Sequence, residues 1–318
     1  MLTADIAAPD RVAPVVSADD LCRAVRERPT AGDSWRMPGL NRVLRHDADA
    51  GLLEIQSGVR WSSLSYIDGA EHFRGTVGQA VAENVPGPDG RPLVSHLRSL
   101  TLATADGQLR RASRERSGEL FRLAVGGHGA FGPFYSLTLD LDSLACARRA
   151  AAEPVAWTGS SDPETPLRHA VALLLPPERA EAILGNLRGA VAERRFPLTR
   201  LDSRRASTEG VTLLRWARRE YLALRLEFAS RATLGASVAA AQLKTALIGI
   251  ALEAGGSFMP ESLASATRGQ AEAGYPMLGE FLAERQRMDP AGHVCTRWAR
   301  DALRVWRGAR CRVRFGGA

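Results

Sequence analysis

Apolar and polar positions along this chain change period several times, and each change marks an element. Ser17, with Asp20 three residues later, is a capping pair that opens a short helix through Arg26, and the apolar piece 12–16 predicts a strand leading into it. Residues 52–59 read as a strand, and 76–85 as a small-residue helix broken by Pro86, Gly87, Pro88 and Gly90. Strands at 97–104 and 108–112 flank Ala105-Asp106-Gly107, where glycine can take positive φ, so this stretch predicts a β-hairpin. A helix over 119–125 then ends at Gly126-Gly127, and a long strand covers 133–141.

From 145 to 166 the composition turns to Ala, Arg, Pro, Ser and Gly, which marks a domain boundary. Beyond it the pattern predicts strands at 169–175, 198–204 and 221–228, a helix at 177–195 and a long helix at 232–254. Two helices, 276–288 and 296–306, close the chain around the turn Asp289-Pro290-Ala291-Gly292. Strands and helices in this mixture imply an α+β fold.

With 318 residues, 45% of them hydrophobic, the chain can bury the cores of two compact units. Its formal charge of +7 is carried almost wholly by arginine, Lys244 being the only lysine. Most arginines are mixed with acids. The concentrated group is C-terminal, where Arg297, Arg300, Arg304 and Arg307 lead to Arg310, Arg312 and Arg314. That group reads as a solvated face, with a peripheral membrane or protein partner as the alternative. Without aromatic residues interleaved among the basic ones, nucleic acid is not an expected partner. Cys22, Cys146, Cys295 and Cys311 form no CxxC pair, so neither a zinc site nor a disulfide framework is expected. The acidic N-terminus lacks signal-peptide character, and Gln242 and Lys244 interrupt the most apolar stretch before the ~18 residues of a membrane span. A reducing, cytoplasmic compartment is the expectation.

Two motifs mislead. Gly127-His128-Gly129-Ala130-Phe131-Gly132 fits G-x-G-x-x-G, but a helix precedes it and a strand follows, the reverse of a dinucleotide-binding βαβ unit. Such glycines either let backbone pass close to a flat ligand or simply make a tight turn. The six histidines, His46, His72, His96, His128, His169 and His293, have no metal-ligand spacing and no GxSxG partner, so each reads as a hydrogen-bonded structural residue. No metal site is expected.

Taken in order, several segments are similar to those of one family. They are Gly39-Leu40-Asn41-Arg42-Val43-Leu44 with 52–61, the stretch Gly75-Thr76-Val77-Gly78-Gln79 through Asn84-Val85, His96-Leu97-Arg98-Ser99-Leu100 with the Ala105-Asp106-Gly107 hairpin, and Glu119-Leu120-Phe121 with the glycine turn 126–132. Gly255-Gly256, Phe281-Leu282-Ala283-Glu284-Arg285 and Asp289-Pro290 add a C-terminal match. The series resembles the vanillyl-alcohol oxidase/p-cresol methylhydroxylase (PCMH-type) superfamily of FAD-linked oxidases, in the branch of aldonolactone oxidases and decaprenylphosphoryl-ribose oxidase.

The resemblance implies a PCMH-type FAD-binding domain of two α+β subdomains over 1–144, a reduced antiparallel-sheet substrate or cap domain over 145–263, and C-terminal helices over 264–318 that return to the FAD domain. It implies non-covalent FAD between the subdomains. Nearest to it would be Thr76, Val77, Gly78, Gln79, Asn84, Val85 and Phe134, together with Gly127 and Gly129 of the glycine turn and Gly32 and Ser34 of a reduced pyrophosphate loop. The implied activity is hydride transfer to flavin from a small sugar-like or lactone-like alcohol.

Departures from the family pattern define a second reading. The pyrophosphate loop shrinks to Ala31-Gly32-Asp33-Ser34, and Asp33 adds like charge where N–H donors are wanted. Pro86-Gly87-Pro88-Asp89-Gly90 stands where the branch has a histidine, and Ser257-Phe258-Met259-Pro260-Glu261 where it has a lysine, for which Lys244 on the preceding helix is no substitute. No catalytic residue is therefore assigned, and a catalytically inactive pseudo-oxidase that serves as a binding or partner module is the alternative. Gly78 is expected beside the cofactor, a helix–sheet contact being the other role that selects the smallest residue.

Overall fold

The computed structural model describes residues 15–27, 37, 39–149, 155–158 and 167–308. Helix α1 (Ala18–Glu27) starts as the capping pair predicts: the Ser17 hydroxyl accepts the Asp20 N–H (3.1 Å), and the Asp20 carboxylate accepts from that hydroxyl (2.8 Å) and from the Val16 N–H (3.3 Å). Leu21 and Val25 bury the inner face of α1 against Val15, Leu40, Ala103 and Val294. Val15 and Val16 lie outside any strand, and the rest of the apolar piece 12–16 lies outside the described residues.

The first sheet contains β1 (Val43–Asp47), β2 (Leu52–Gln56), β3 (Leu97–Ala103), β4 (Leu109–Ser113) and β5 (Phe134–Asp140), in the antiparallel order β1-β2-β5-β3-β4. Strand β1 has no alternation to reveal it, because as an edge strand almost all its side chains are exposed. The predicted hairpin is β3–β4, with Gly107 at φ 72°.

Helix α2 (Val77–Glu83) is capped by Thr76, whose hydroxyl accepts the Gln79 N–H (3.2 Å), and is stopped by Asn84 in the left-handed region at φ 48°. It lies directly on the chain after β2. The Gly78 N–H donates to the Ser57 carbonyl (2.8 Å), and a Cβ on Gly78 would stand 2.7 Å from both that oxygen and the Ser57 Cβ. Helix α3 (Gly118–Ala124) follows the hairpin, and α4 (Leu141–Arg149) follows β5. Helix α4 runs through the start of the stretch read as a linker, because Leu144 and Ala147 recur at helical spacing and are buried. An edge strand, β6 (Val155–Thr158), occupies more of that stretch, so its Ala- and Pro-rich composition conceals regular structure.

The second sheet adds β7 (Leu167–Leu175), β8 (Leu198–Ala206), β9 (Tyr221–Ser230) and β10 (Ser257–Phe258), in the antiparallel order β10-β7-β9-β8-β6. Helices α5 (Ala180–Glu193) and α6 (Leu234–Glu253) connect its strands, and α6 packs along β7 and β9. Helix α6 is long and apolar enough, by length and composition, to cross a membrane, contrary to the sequence expectation. It packs Ala240, Leu243, Leu247, Ile248 and Ala251 into the core. Period-2 alternation divides the sheet. Leu224, Leu226 and Phe228 of β9 are buried, while Arg225 and Glu227 share the other face with their register partners Asp202 and Arg200 on β8 and Ala172 and Ala170 on β7.

Helices α7 (Arg268–Gly274), α8 (Leu278–Met288) and α9 (Arg297–Trp306) complete the chain. Helix α7, unforeseen in the sequence pattern, opens with a full capping box between Thr267 and Gln270. One apolar core runs through both sheets, including Phe121 and Leu137 from the first and Leu173, Leu226 and Trp216 from the second part of the chain. The architecture is mixed α+β with two antiparallel sheets.

Because Gly78 meets backbone rather than a movable side-chain tip, Gly78→Val should destabilise the fold by roughly 1–3 kcal/mol or more. A urea unfolding curve with an unshifted midpoint would show that the contact with Ser57 is not tight.

Candidate functional site

Between α2 and the charged face of the second sheet lies a group of ionisable side chains from three parts of the chain. Glu83, on the last turn of α2, accepts from the Gln79 side-chain amide one turn back (3.1 Å). On β9, Arg225 donates through Nε to Glu227 (2.9 Å) and holds Nη1 3.7 Å from Glu261. Glu261 lies in the 3₁₀ turn Pro260–Ser265, which is pinned to the sheet where the Ala172 N–H donates to the Ser262 hydroxyl (2.9 Å). Tyr275 stands behind this turn, its hydroxyl donating to the Phe258 carbonyl.

Burial pushes the Glu261 carboxyl up to about 7, the charge of Glu83 adds to the rise, and Arg225 opposes it. The Glu83 carboxyl is raised for the same first reason, with Gln79 and Arg225 acting against it. The Glu261 side chain keeps 40% of its surface open to water, which screens these interactions. What survives screening is the direction: a carboxyl that holds its proton more tightly than an ordinary glutamate. Farther along the interface, Arg204 of β8 donates to His72 Nε2 (3.3 Å), and burial followed by the Arg204 charge lowers the His72 pKa, keeping the imidazole neutral.

The C-terminal end of α2 is bound more tightly. Asn84 is fully buried; its Oδ1 accepts the Val94 N–H (2.8 Å) and its carbonyl accepts the Trp216 indole N–H (2.9 Å). Its Nδ2 is a buried donor with no partner among the described residues. Beside it runs the glycine turn, whose Gly126 and His128 N–H groups donate to Val81 (3.1 Å) and Ala82 (2.9 Å) of α2. His128 adopts φ 50° and stacks on Trp298 at 4.6 Å and 11°, and Trp298 donates to the carbonyl of Pro260, next to Glu261 (2.8 Å). The chain matches no protein-family model, and no curated protein is similar to it.

Thr76, Val77, Gly78, Gln79, Asn84 and Val85 thus share α2 and its caps, with Gly127 and Gly129 packed at one end. Their environments differ. Thr76 spends its hydroxyl on the cap, Val77 and Phe134 are core residues, and a Cβ on Gly127 would meet the Leu123 carbonyl at 2.3 Å. Gln79 is exposed, Val85 is half-buried, and Gly129 takes φ 72°. Gly32 and Ser34 lie outside the described residues. His96, His169 and His293 have the expected structural hydrogen bonds, to Ser143, Ser230 and the Ala105 carbonyl, but the buried His128 Nε2 has no partner among the described residues and is held by stacking on Trp298 instead. Among the described residues no group of three metal-ligating side chains occurs, and Cys22, Cys146 and Cys295 are free thiols.

Sequence reading passed over Glu83, Arg225 and Glu261. A signal was present. Arg200, Asp202 and Arg204, then Arg225 and Glu227, place charge at every second position of two paired strands, which marks a polar sheet face directed at something other than core.

Burial lowers the His128 pKa to about 3. The unfolded chain takes up this proton near 6.5 and the folded one does not, so stability present above pH 6.5 is lost as pH falls toward 3, at up to about 1.4 kcal/mol per pH unit. His128→Asn tolerates the left-handed backbone and cannot titrate. Its unfolding free energy should fall less steeply than that of the wild type from pH 6.5 to 4; parallel curves would mean that His128 is protonated in the fold.

Proposed function

We propose that this chain is an FAD-linked oxidoreductase of the vanillyl-alcohol oxidase/p-cresol methylhydroxylase type, acting in the cytoplasm on a sugar-like or lactone-like alcohol. The observation that supports this most is the placement of Glu261 and Arg225 across from α2, the helix formed by the most family-like segment of the sequence. In this reading residues 1–144 are the PCMH-type domain, the second sheet within 145–263 is the reduced cap, and the helices of 264–318 return to the first domain. The substrate lies between α2 and the charged sheet face.

Of the described residues, those at the N-terminal edge of α2 support a place for FAD. Gly75 at φ 72°, Thr76 and Gln79 leave that edge open, while the unspent Asn84 Nδ2 is buried at the other end of the helix, beside Gly126. They would hold the flavin, with Gly32 and Ser34 toward the pyrophosphate. FAD, when bound, supplies the hydride acceptor. The chain supplies the proton chemistry: Glu261, as the carboxylate, takes the proton of the substrate hydroxyl, and Arg225 holds the resulting oxyanion by charge and orientation. Glu83 raises the basicity of Glu261 through its own negative charge.

The glycine turn favours the second reading, a pseudo-oxidase that binds a ligand without turnover. Gly126 and His128 direct their N–H groups to α2, and Gly78 and Gly127 are closed against protein backbone, so these glycines are explained without a cofactor. The two readings separate in one experiment. Protein purified from a flavin-replete host should absorb at about 450 nm and lose that colour anaerobically with one of a panel of alcohols and lactones. Glu261→Gln should keep the flavin while slowing its reduction by roughly 10²–10⁴-fold and removing the pH dependence near neutrality. Colour without reduction by any substrate supports the pseudo-oxidase, and colourless protein that releases no FAD contradicts the flavin assignment itself.

A further inference from the structure

One end of the second sheet combines apolar projections with cations that have no acidic partner. Strand β7 begins there at Leu167, which pairs with Ser230 at the end of β9, while α5 ends at Glu193 and α6 begins at Leu234. Leu234 is 77% exposed and Val238, one turn further along α6, is 49% exposed; Leu167 is 36% exposed beside them. The first turn is fixed in place, because the Thr233 hydroxyl accepts the Ala236 N–H (3.2 Å). These aliphatic side chains are therefore held out to solvent by a capped helix start.

Arg168, Arg194, Arg195 and Arg231 occupy the same end, all exposed and none in an ion pair with a described residue. Among the described residues at this end Glu193 is the acid, so the described side chains carry an excess of positive charge. Exposed arginines elsewhere are of both kinds, paired with carboxylates as Arg45, Arg148, Arg268 and Arg304 are at 2.8 Å or less, or unpaired as Arg42 and Arg188 are among the described residues, so it is the combination with exposed aliphatic side chains that sets this end apart. The positive end of the α6 dipole adds to the field at Leu234.

From this juxtaposition we infer that the end of the second sheet formed by the start of α6 and the end of α5 docks on an anionic lipid surface. Aliphatic tips ringed by arginine match an interface whose outer layer is phosphate and whose inner layer is hydrocarbon. Each basic residue near such a surface contributes about 1 kcal/mol, and inserted aliphatic side chains add to it. The patch is a few side chains wide, well short of the roughly 800 Å² per partner of a stable protein interface. A nucleic acid would engage the arginines but leave Leu234 and Val238 without a partner. Helix α6 does not leave the fold in this arrangement, since Leu243, Leu247 and Ile248 stay in the core and only its first turns meet the lipid.

The full chain should float with vesicles of phosphatidylcholine containing roughly one-third phosphatidylglycerol, and not with phosphatidylcholine alone. Leu234→Glu/Val238→Glu should reduce the bound fraction at least about tenfold with an unchanged circular dichroism spectrum, because both positions are exposed. A second variant with Arg310, Arg312 and Arg314 replaced by alanine should retain most of the binding. Absence of vesicle binding, unaltered binding by the double glutamate variant, or loss confined to the C-terminal variant would overturn the inference. So would a wild-type dimer that the double glutamate variant dissociates, since the face would then be covered by a second copy of the chain.

Discussion

Asn84 is the residue on which the relation between the two sheets turns. It ends α2 in the left-handed region, its side chain fixes the segment that leads into β3, and its carbonyl receives the indole N–H of Trp216 from the other half of the chain. Each bond is buried, so losing either strands a polar group at a cost of roughly 1–3 kcal/mol. Around this point Leu213 donates to the Arg122 carbonyl (3.0 Å) and Ser207 to that of Gly90 (2.8 Å). The segment between β8 and β9 is thereby strapped onto the first sheet. Glu83, Arg225 and Glu261 come together because this strap sets α2 opposite the charged face of β8 and β9.

Such a junction also explains the electrostatics of this charged group. Glu83 ends a helix held by backbone contacts, and Glu261 sits in a turn pinned at Ser262, so neither carboxylate can withdraw by moving its backbone. Desolvation then raises the proton affinity of both, the Glu83 charge adds to the rise at Glu261, and Arg225 is the nearby cation that limits it. An acid–base group arises here from packing that is otherwise structural. The same holds for His128, kept neutral by the stacking and burial that join the glycine turn to Trp298.

Much of the local structure was legible in the sequence. The Ser17–Asp20 cap, the Ala105-Asp106-Gly107 hairpin, the stop after α2 and the alternation of the second sheet all follow from short-range chemistry. Strand β1 was not, because an edge strand with exposed side chains has no burial pattern to display. Composition misled at α4 and β6, where Ala and Arg are as compatible with a helix as with a linker. The charged group was hidden for another reason: Glu83, Arg225 and Glu261 are far apart in sequence and meet through Asn84 and Trp216, a contact across 132 positions that no local pattern encodes. Gly78 and Gly127 attract a cofactor reading from sequence, yet each already has a packing partner that leaves no space for a Cβ.

One core and one buried junction make the two sheets a single cooperative unit, with the meeting of Glu83, Arg225 and Glu261 as its consequence. Equilibrium urea unfolding of the full chain, followed together by tryptophan fluorescence and far-ultraviolet circular dichroism, tests it most directly. The six tryptophans, Trp216 at the junction and Trp61 in the core of the first part of the chain among them, report tertiary packing, whereas circular dichroism reports every helix and strand. The two curves should coincide in a single transition. Fluorescence that changes at a clearly lower urea concentration than circular dichroism would show the sheets parting before they unfold, and would contradict the account.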